Sequence, residues 1–355
     1  MYRCYHPVRM RACLIVATLA VMSCGGGDDA PPSRTYVMGF SPIPARFDPS
    51  LVGRTLDMWA LRADAGIVLQ EPPWAELLAG QDPEALVRAN PLGIAELFRA
   101  KGLRIIGSID PTNGLDRRSE SGALVAAGRS LSEPAVRDLY RRYVGAFVRL
   151  VRPERLTVAS ETNLVRATAP AAVYAAVVAA ANAAAAEARA QDPALQLMIT
   201  IQVEVANGRL PGGAGAGITR DHTDFPFVQA LGLSSFPTLA GFGEPEELPL
   251  DYYARLAAEV PLPVLVIEGG WPSVNVGGVQ SSPEEQSRYI ERHAAILDAA
   301  HAEGWFQLTF TDLDPAGFPA GIGPFANLGL VDVSLQPKPA LASWDSVFHR
   351  PLQRR

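Results

Sequence analysis

What most constrains this chain is a rhythm. Short apolar runs alternate with helical patterns from Tyr36 to Phe348, and no linker-like break interrupts them. The runs are YVMGF (36–40), GIVLQ (66–70), LRIIGSI (103–109), LTVAS (156–160), LQLMITIQV (195–203), LGLSSFP (231–237), VLVIE (264–268) and WFQLTFTDLD (305–314). A run that is apolar on both alternating faces is a strand covered on both sides, as in a parallel sheet flanked by helices. Eight such strands alternating with helical stretches predict a single (β/α)8 TIM barrel spanning residues 35–350. A doubly wound open sheet is the alternative, but its G-x-G-x-x-G turn is missing after the first strand.

The helical stretches carry their own punctuation. TLDMWALRADA (55–65) follows strand one, and residues 83–102 read as helix broken near Pro91. Residues 132–151 form the most amphipathic helix, with Ser132 as its expected N-cap. Residues 170–191 are mostly alanine and long enough to be mistaken for a membrane span. Asn182, Glu187 and Arg189 interrupt them, and alanine is barely apolar, so the expectation is an outer helix packed closely on the barrel. Residues 250–260 and 338–348 give two more helices. Another spans 282–304, with Ser282 at its N-cap and Gly304 as its stop.

Two strands end in an acid. Glu268 closes strand seven before Gly269, Gly270 and Trp271, and Glu161 stands at the tip of strand four. Parallel strands of a barrel deliver their last residues to one rim, so these carboxylates are expected to face each other across one cleft. Two opposed carboxylates suit glycosidic bond cleavage: one protonates the leaving oxygen while the other attacks the anomeric carbon or activates water, and no metal or other cofactor is required. Trp74, Phe236 and Trp271 are candidate platforms for a pyranose face, and each is equally a candidate packing residue. Asp110, Glu204, Asp312 and Asp314 fall near rim positions, where they would bind sugar hydroxyls or cap loops.

The N-terminus is a separate matter. Arg3, Arg9 and Arg11 precede an apolar stretch at 12–22 and the box V-M-S-C, which resembles a bacterial lipoprotein cleavage site. Residues 1–24 are therefore expected to be a signal peptide, with Cys24 lipidated after cleavage and 25–34 a flexible tether. The protein is expected to be exported and held at the cell envelope by its lipid alone. Cys4 and Cys13 fall inside the signal, leaving no pair for a disulfide.

Charge narrows the partners. Of 31 basic residues three lie in the signal, so against 37 acidic ones the mature chain carries about nine excess negative charges. That balance, without a basic stripe, disfavours nucleic acid. His6, His222, His293, His301 and His349 show no metal-ligand spacing. No G-x-S-x-G elbow supports a serine triad. PGGAGAG (211–217) lacks the Lys-Ser/Thr of a phosphate loop and reads as a plain loop.

The segment IEGGWPS (267–273) resembles the nucleophile segment of the clan A glycoside hydrolases. It is close to that of the family 53 arabinogalactan endo-β-1,4-galactanases and also similar to that of the family 17 β-1,3-glucanases. LGLSSFP looks like the family 53 S-Y-Y-P strand, and GLVDVSLQPKPAL (329–341) is similar to the closing segment of many clan A enzymes. The resemblance implies a barrel with Glu268 as nucleophile and Glu161 as acid/base. It further implies retention of configuration and carboxyl groups about 5 to 5.5 Å apart. Glu161 would then hold its proton through a raised pKa while Glu268 stays ionised. The pattern departs in two places. Ser160 stands where clan A enzymes carry an Asn that holds the sugar's 2-hydroxyl; Asn163 lies two residues past the acid and is aimed differently. Strand eight has no Trp floor, leaving Phe310 as the substitute. The function expected is retaining hydrolysis of a β-linked glycan or oligosaccharide. The departures motivate the alternative of a glycan-binding lipoprotein without turnover.

Overall fold

A computed structural model describes residues 32–209 and 217–353. The signal, Cys24 and most of the tether lie outside the described residues, as do positions 211–216 of the glycine-rich loop.

Eight parallel strands form a closed barrel in sequence order, with β8 returning to β1. They are β1 (Val37–Phe40), β2 (Ala65–Gln70), β3 (Arg104–Ile109), β4 (Arg155–Thr157), β5 (Gln196–Gln202), β6 (Ala230–Ser235), β7 (Val264–Gly269) and β8 (Gly304–Gln307). The single (β/α)8 barrel expected from the apolar cadence is the observed fold. Alternate side chains point inward, and Val37, Ala65, Ile67, Ile106, Met198 and Phe306 fill the lumen with Leu265 and Ile267. Gly39 is required here: a Cβ on it would sit 2.0 Å from the Ala65 carbonyl oxygen of the next strand.

A second, larger core lies between the strands and the helices outside them. Helix Pro134–Val151 buries Tyr140, Val144, Phe147 and Val151 at helical spacing. The alanine-rich helix Ala171–Gln191 packs against it as part of this outer layer, burying Ala176, Val177, Ala180, Ala184 and Ala188. By length and composition this helix would suffice to cross a membrane, but its small side chains instead allow close helix packing.

Several boundaries differ from expectation for local reasons. Pro134 at the first helical position sets Glu133, not Ser132, as N-cap. The break at Pro91 is real: Pro83–Ala89 and Pro91–Ala100 are separate helices. Ser282 does cap its helix, accepting a hydrogen bond from Glu285 N at 3.2 Å, but that helix ends at Ala299 and Gly304 opens β8 instead. Strand eight stops at Gln307, well short of 314, because the chain turns away and Thr311 bridges Val331 of the closing segment.

Candidate active site

The mouth of the barrel holds a cavity of about 500 Å³, within the range of sites that enclose a small molecule. Asp110, Ser160, Glu161, Gln202, Phe236 and Glu268 all line it. Glu161 and Glu268 thus reach one cavity from positions far apart in sequence.

Each acid arrives through an irregularity. Strand alternation points Leu265 and Ile267 into the lumen, so a regular strand would turn Glu268 out toward the helices. The pairing with β6 shifts by one residue at this point: Leu233 faces Val266, but Ser234 faces Glu268. The extra residue, Ile267, is a bulge that brings Glu268 round to the mouth. Gly269 permits it, since a Cβ there would lie 2.5 Å from the Ser235 carbonyl oxygen. Glu161 follows β4 as the N-cap of helix Thr162–Thr168, with φ 48° and ψ 45°. A non-glycine residue in this left-handed region is strained, and surrounding contacts must hold it there. Thr200 does so by accepting the Glu161 backbone N–H at 2.7 Å.

Both carboxylate oxygens of Glu161 are engaged. Arg117 Nε donates to Oε2 at 2.7 Å, and Ser234 Oγ donates to Oε1 at 2.5 Å. Arg117 is itself buried, paired also with Asp110 and donating to Thr112 Oγ1 at 3.0 Å. Glu268 keeps part of its surface open to the cavity. Its pKa is pushed up to about 7, first by burial and then by the charge on Glu161; Arg117 opposes the rise, Asp110 adds to it, and a hydrogen bond from Ser234 lowers it. The expectation from sequence is that Glu268 stays ionised to attack; its surroundings raise its pKa toward neutrality.

Five of the expected substrate contacts lie elsewhere. Trp74 is buried in the outer core, its ring 6.1 Å from that of Tyr140. Trp271 is stacked on Tyr289 at 5.3 Å and donates through Nε1 to Ser281 at 3.0 Å, on the helix side of β7. Phe310 packs edge-on against Phe40 at 5.2 Å. Asp312 accepts from Lys338 Nζ at 2.7 Å and from Gly329 N at 3.1 Å, stapling the closing segment to the barrel. Asn163 clamps β5 through both ends of its amide, each 2.8 Å from the Gln202 backbone. The common reason is that a residue just past a strand end has two destinations, the mouth or the layer between barrel and helices, and these five take the second. Glu204 does likewise: wholly buried, it accepts from Gln202 at 2.6 Å, Tyr252 at 2.9 Å and Ser235 at 3.1 Å, and burial raises its pKa.

The sequence reading misses Arg117, Ser234 and Glu71. Glu71 lines the cavity just past β2; it is hydrogen-bonded by Ser121 and pushed up chiefly by burial. The positions of Ser234 and Glu71 at or just past strand ends are the available signal.

No protein-family model matches the chain, and a search of curated proteins finds no match. Solved structures do share the fold. An exo-β-1,4-mannosidase, Op5Man5 from Opitutaceae bacterium strain TAV5, superposes with a TM-score of 0.67 at 17% identity, over 89% of this chain and 59% of that one. A β-glucuronidase from an uncultured Clostridium species gives 0.60 at 15% identity, over 88% and 50%. Bacteroides uniformis β-glucuronidase 2, covalently bound to cyclophellitol-6-carboxylate aziridine, gives 0.58 at 15% identity, over 90% and 35%. This chain therefore spans roughly a third to three fifths of the length of the structures it matches.

Proposed function

We propose that the chain is a retaining glycoside hydrolase acting on a β-linked glycoside, with Glu161 as acid/base and Glu268 as nucleophile. The observation that carries this reading is the convergence of two acids in one cavity, close enough for the charge of Glu161 to raise the pKa of Glu268. The β-glycosidases that share the barrel support the reaction class. The IEGGWPS segment supports the roles.

In the first step a Glu268 oxygen attacks the anomeric carbon as the bond to the leaving oxygen breaks, and Glu161 gives that oxygen its proton. In the second, Glu161 takes a proton from water, the resulting hydroxide attacks the same carbon, and Glu268 departs as carboxylate. The pair thus needs one proton, placed on Glu161 when substrate is bound. In the resting cleft Arg117 occupies Glu161, while burial raises the pKa of Glu268. Substrate must therefore displace the Arg117 contact, leaving that guanidinium anchored to Asp110 and Thr112. Ser234 Oγ, which donates to Glu161 Oε1, lies close enough to Glu268 to act on its pKa as well.

Arg3, Arg9 and Arg11 before the apolar stretch at 12–22, with the V-M-S-C box, support a reading of the chain as exported and lipid-anchored at Cys24. The Arg117 contact also favours the second reading, a barrel that binds sugar without turnover.

A panel of 4-nitrophenyl β-glycosides and β-linked oligosaccharides, with wild type, Glu161→Ala and Glu268→Ala, separates the two. Hydrolysis lost in both variants supports the enzyme. Sugar binding by wild type with no hydrolysis overturns it in favour of the binding barrel.

A further inference from the structure

The acids of the cavity floor lie at or just past the strand tips, and the loops above them add a run of apolar side chains. Leu115 comes from the loop after β3, Leu164 from the helix after Glu161, and Phe236 and Leu239 follow β6; Ile322 and Phe325 belong to the long loop after β8. Leu115 and Leu239 are each 42% exposed, so this apolar wall reaches the opening. Phe236 and Phe325 meet edge-to-face with centroids 4.9 Å apart.

The polar groups near this wall are largely engaged by the protein. Gln202 uses its amide oxygen on Val205 N at 2.8 Å and its amide nitrogen on Glu204 at 2.6 Å. Arg118 is bonded to Asp116 at 2.8 Å, and Glu71 accepts from Ser121. All five tryptophans are at most 1% exposed, so none offers a face to a second or third sugar. An extended glycan needs hydroxyl partners and aromatic platforms along its length. This wall supplies no tryptophan face, its two phenylalanines pack edge-to-face on each other, and the charged side chains beside it are paired within the protein. Both guanidiniums that line the cavity already pair with carboxylates, while Glu71, Asp110, Asp116, Glu161 and Glu268 make the lining acidic, so a uronate is disfavoured.

We infer that the substrate is a neutral β-glycoside carrying an apolar aglycone, with one sugar on the polar floor and the aglycone against Leu115, Leu164, Leu239, Ile322 and Phe325. This rests on the hydrolase reading and narrows its substrate.

The test compares hexyl and methyl β-glycosides of glucose, galactose and mannose, the matching β-linked disaccharides, and a hexyl β-glucuronide. Alkyl leaving groups differ little in acidity, so their ratio reports contact with the wall. For the sugar that is cleaved, kcat/KM for hexyl exceeds methyl and disaccharide by about tenfold, equivalent to roughly two buried methylene groups. The glucuronide is not cleaved. Leu239→Ser and Leu115→Ser lower the hexyl-to-methyl ratio at least threefold, through KM. A disaccharide preferred over the hexyl glycoside, or a ratio unmoved by both variants, overturns the inference while leaving the hydrolase reading intact. If no glycoside is cleaved, the hydrolase reading fails. Calorimetric binding then decides the aglycone: hexyl tighter than methyl by about tenfold supports it, and equal binding overturns it.

Discussion

The two ends of the barrel use the same residue types to opposite effect. At the end where the strands begin, opposite charges meet in matched numbers: Arg34 with Asp64 at 2.6 Å, Arg104 with Glu154 at 2.7 Å, and Arg155 with Glu303 at 2.5 Å. At the mouth, Asp110, Glu161 and Glu268 gather around the single guanidinium of Arg117. Balanced pairs hold strand ends together. An unbalanced group leaves one carboxyl with a displaced pKa, the condition for acid–base chemistry.

The sharpest way to break this contrast is to remove one acid at each end. Glu161→Ala and Glu268→Ala are expected to lower kcat by about a thousandfold or more. Asp64→Ala is expected to leave kcat within about twofold, because it lies at the far end. Its effect is on stability: Asp64 accepts from Arg34 and from Met38 N, and losing it strands a buried guanidinium, costing about 3 kcal/mol by chemical denaturation. A large kcat loss in Asp64→Ala with the fold intact would erase the distinction.

Arg117→Ala sharpens it. The guanidinium restrains Glu268, so its removal moves the Glu268 titration upward, and kcat/KM at neutral pH is expected to fall about a hundredfold. A variant faster than wild type would instead identify Arg117 as a block on Glu161.

The smallest effect is on stability, in its dependence on pH, and Glu268→Gln reads it. The folded protein binds the Glu268 proton more tightly than the unfolded chain does, so wild type loses stability as pH rises from about 4.5 through about 7. The variant lacks this loss. It is expected to be more stable than wild type at pH 8 by on the order of 1 to 3 kcal/mol, with little difference at pH 4.

How much of this is legible in sequence follows from geometry. The strands are, because a strand buried on both faces is apolar throughout. Glu161, Glu268, Asp110, Ser160 and Phe236 are placed at the mouth by position alone. Position fails for Trp74, Asn163, Trp271, Phe310 and Asp312, since the direction of a side chain past a strand end depends on bulges and turns. Glu268 illustrates this: the shift at Ile267 brings it to the mouth, and Trp271 three residues later packs among helices. Arg117, in the loop segment DRRSE, reads in sequence as a solvated charge.

The most direct test of the proposed mechanism is covalent trapping of the wild-type protein with 2-deoxy-2-fluoro β-glycosides, followed by peptide mapping. A single glycosyl adduct on Glu268, absent from Glu268→Gln, is the expected result. An adduct on Glu161, or turnover with inverted configuration and no adduct, would contradict the account.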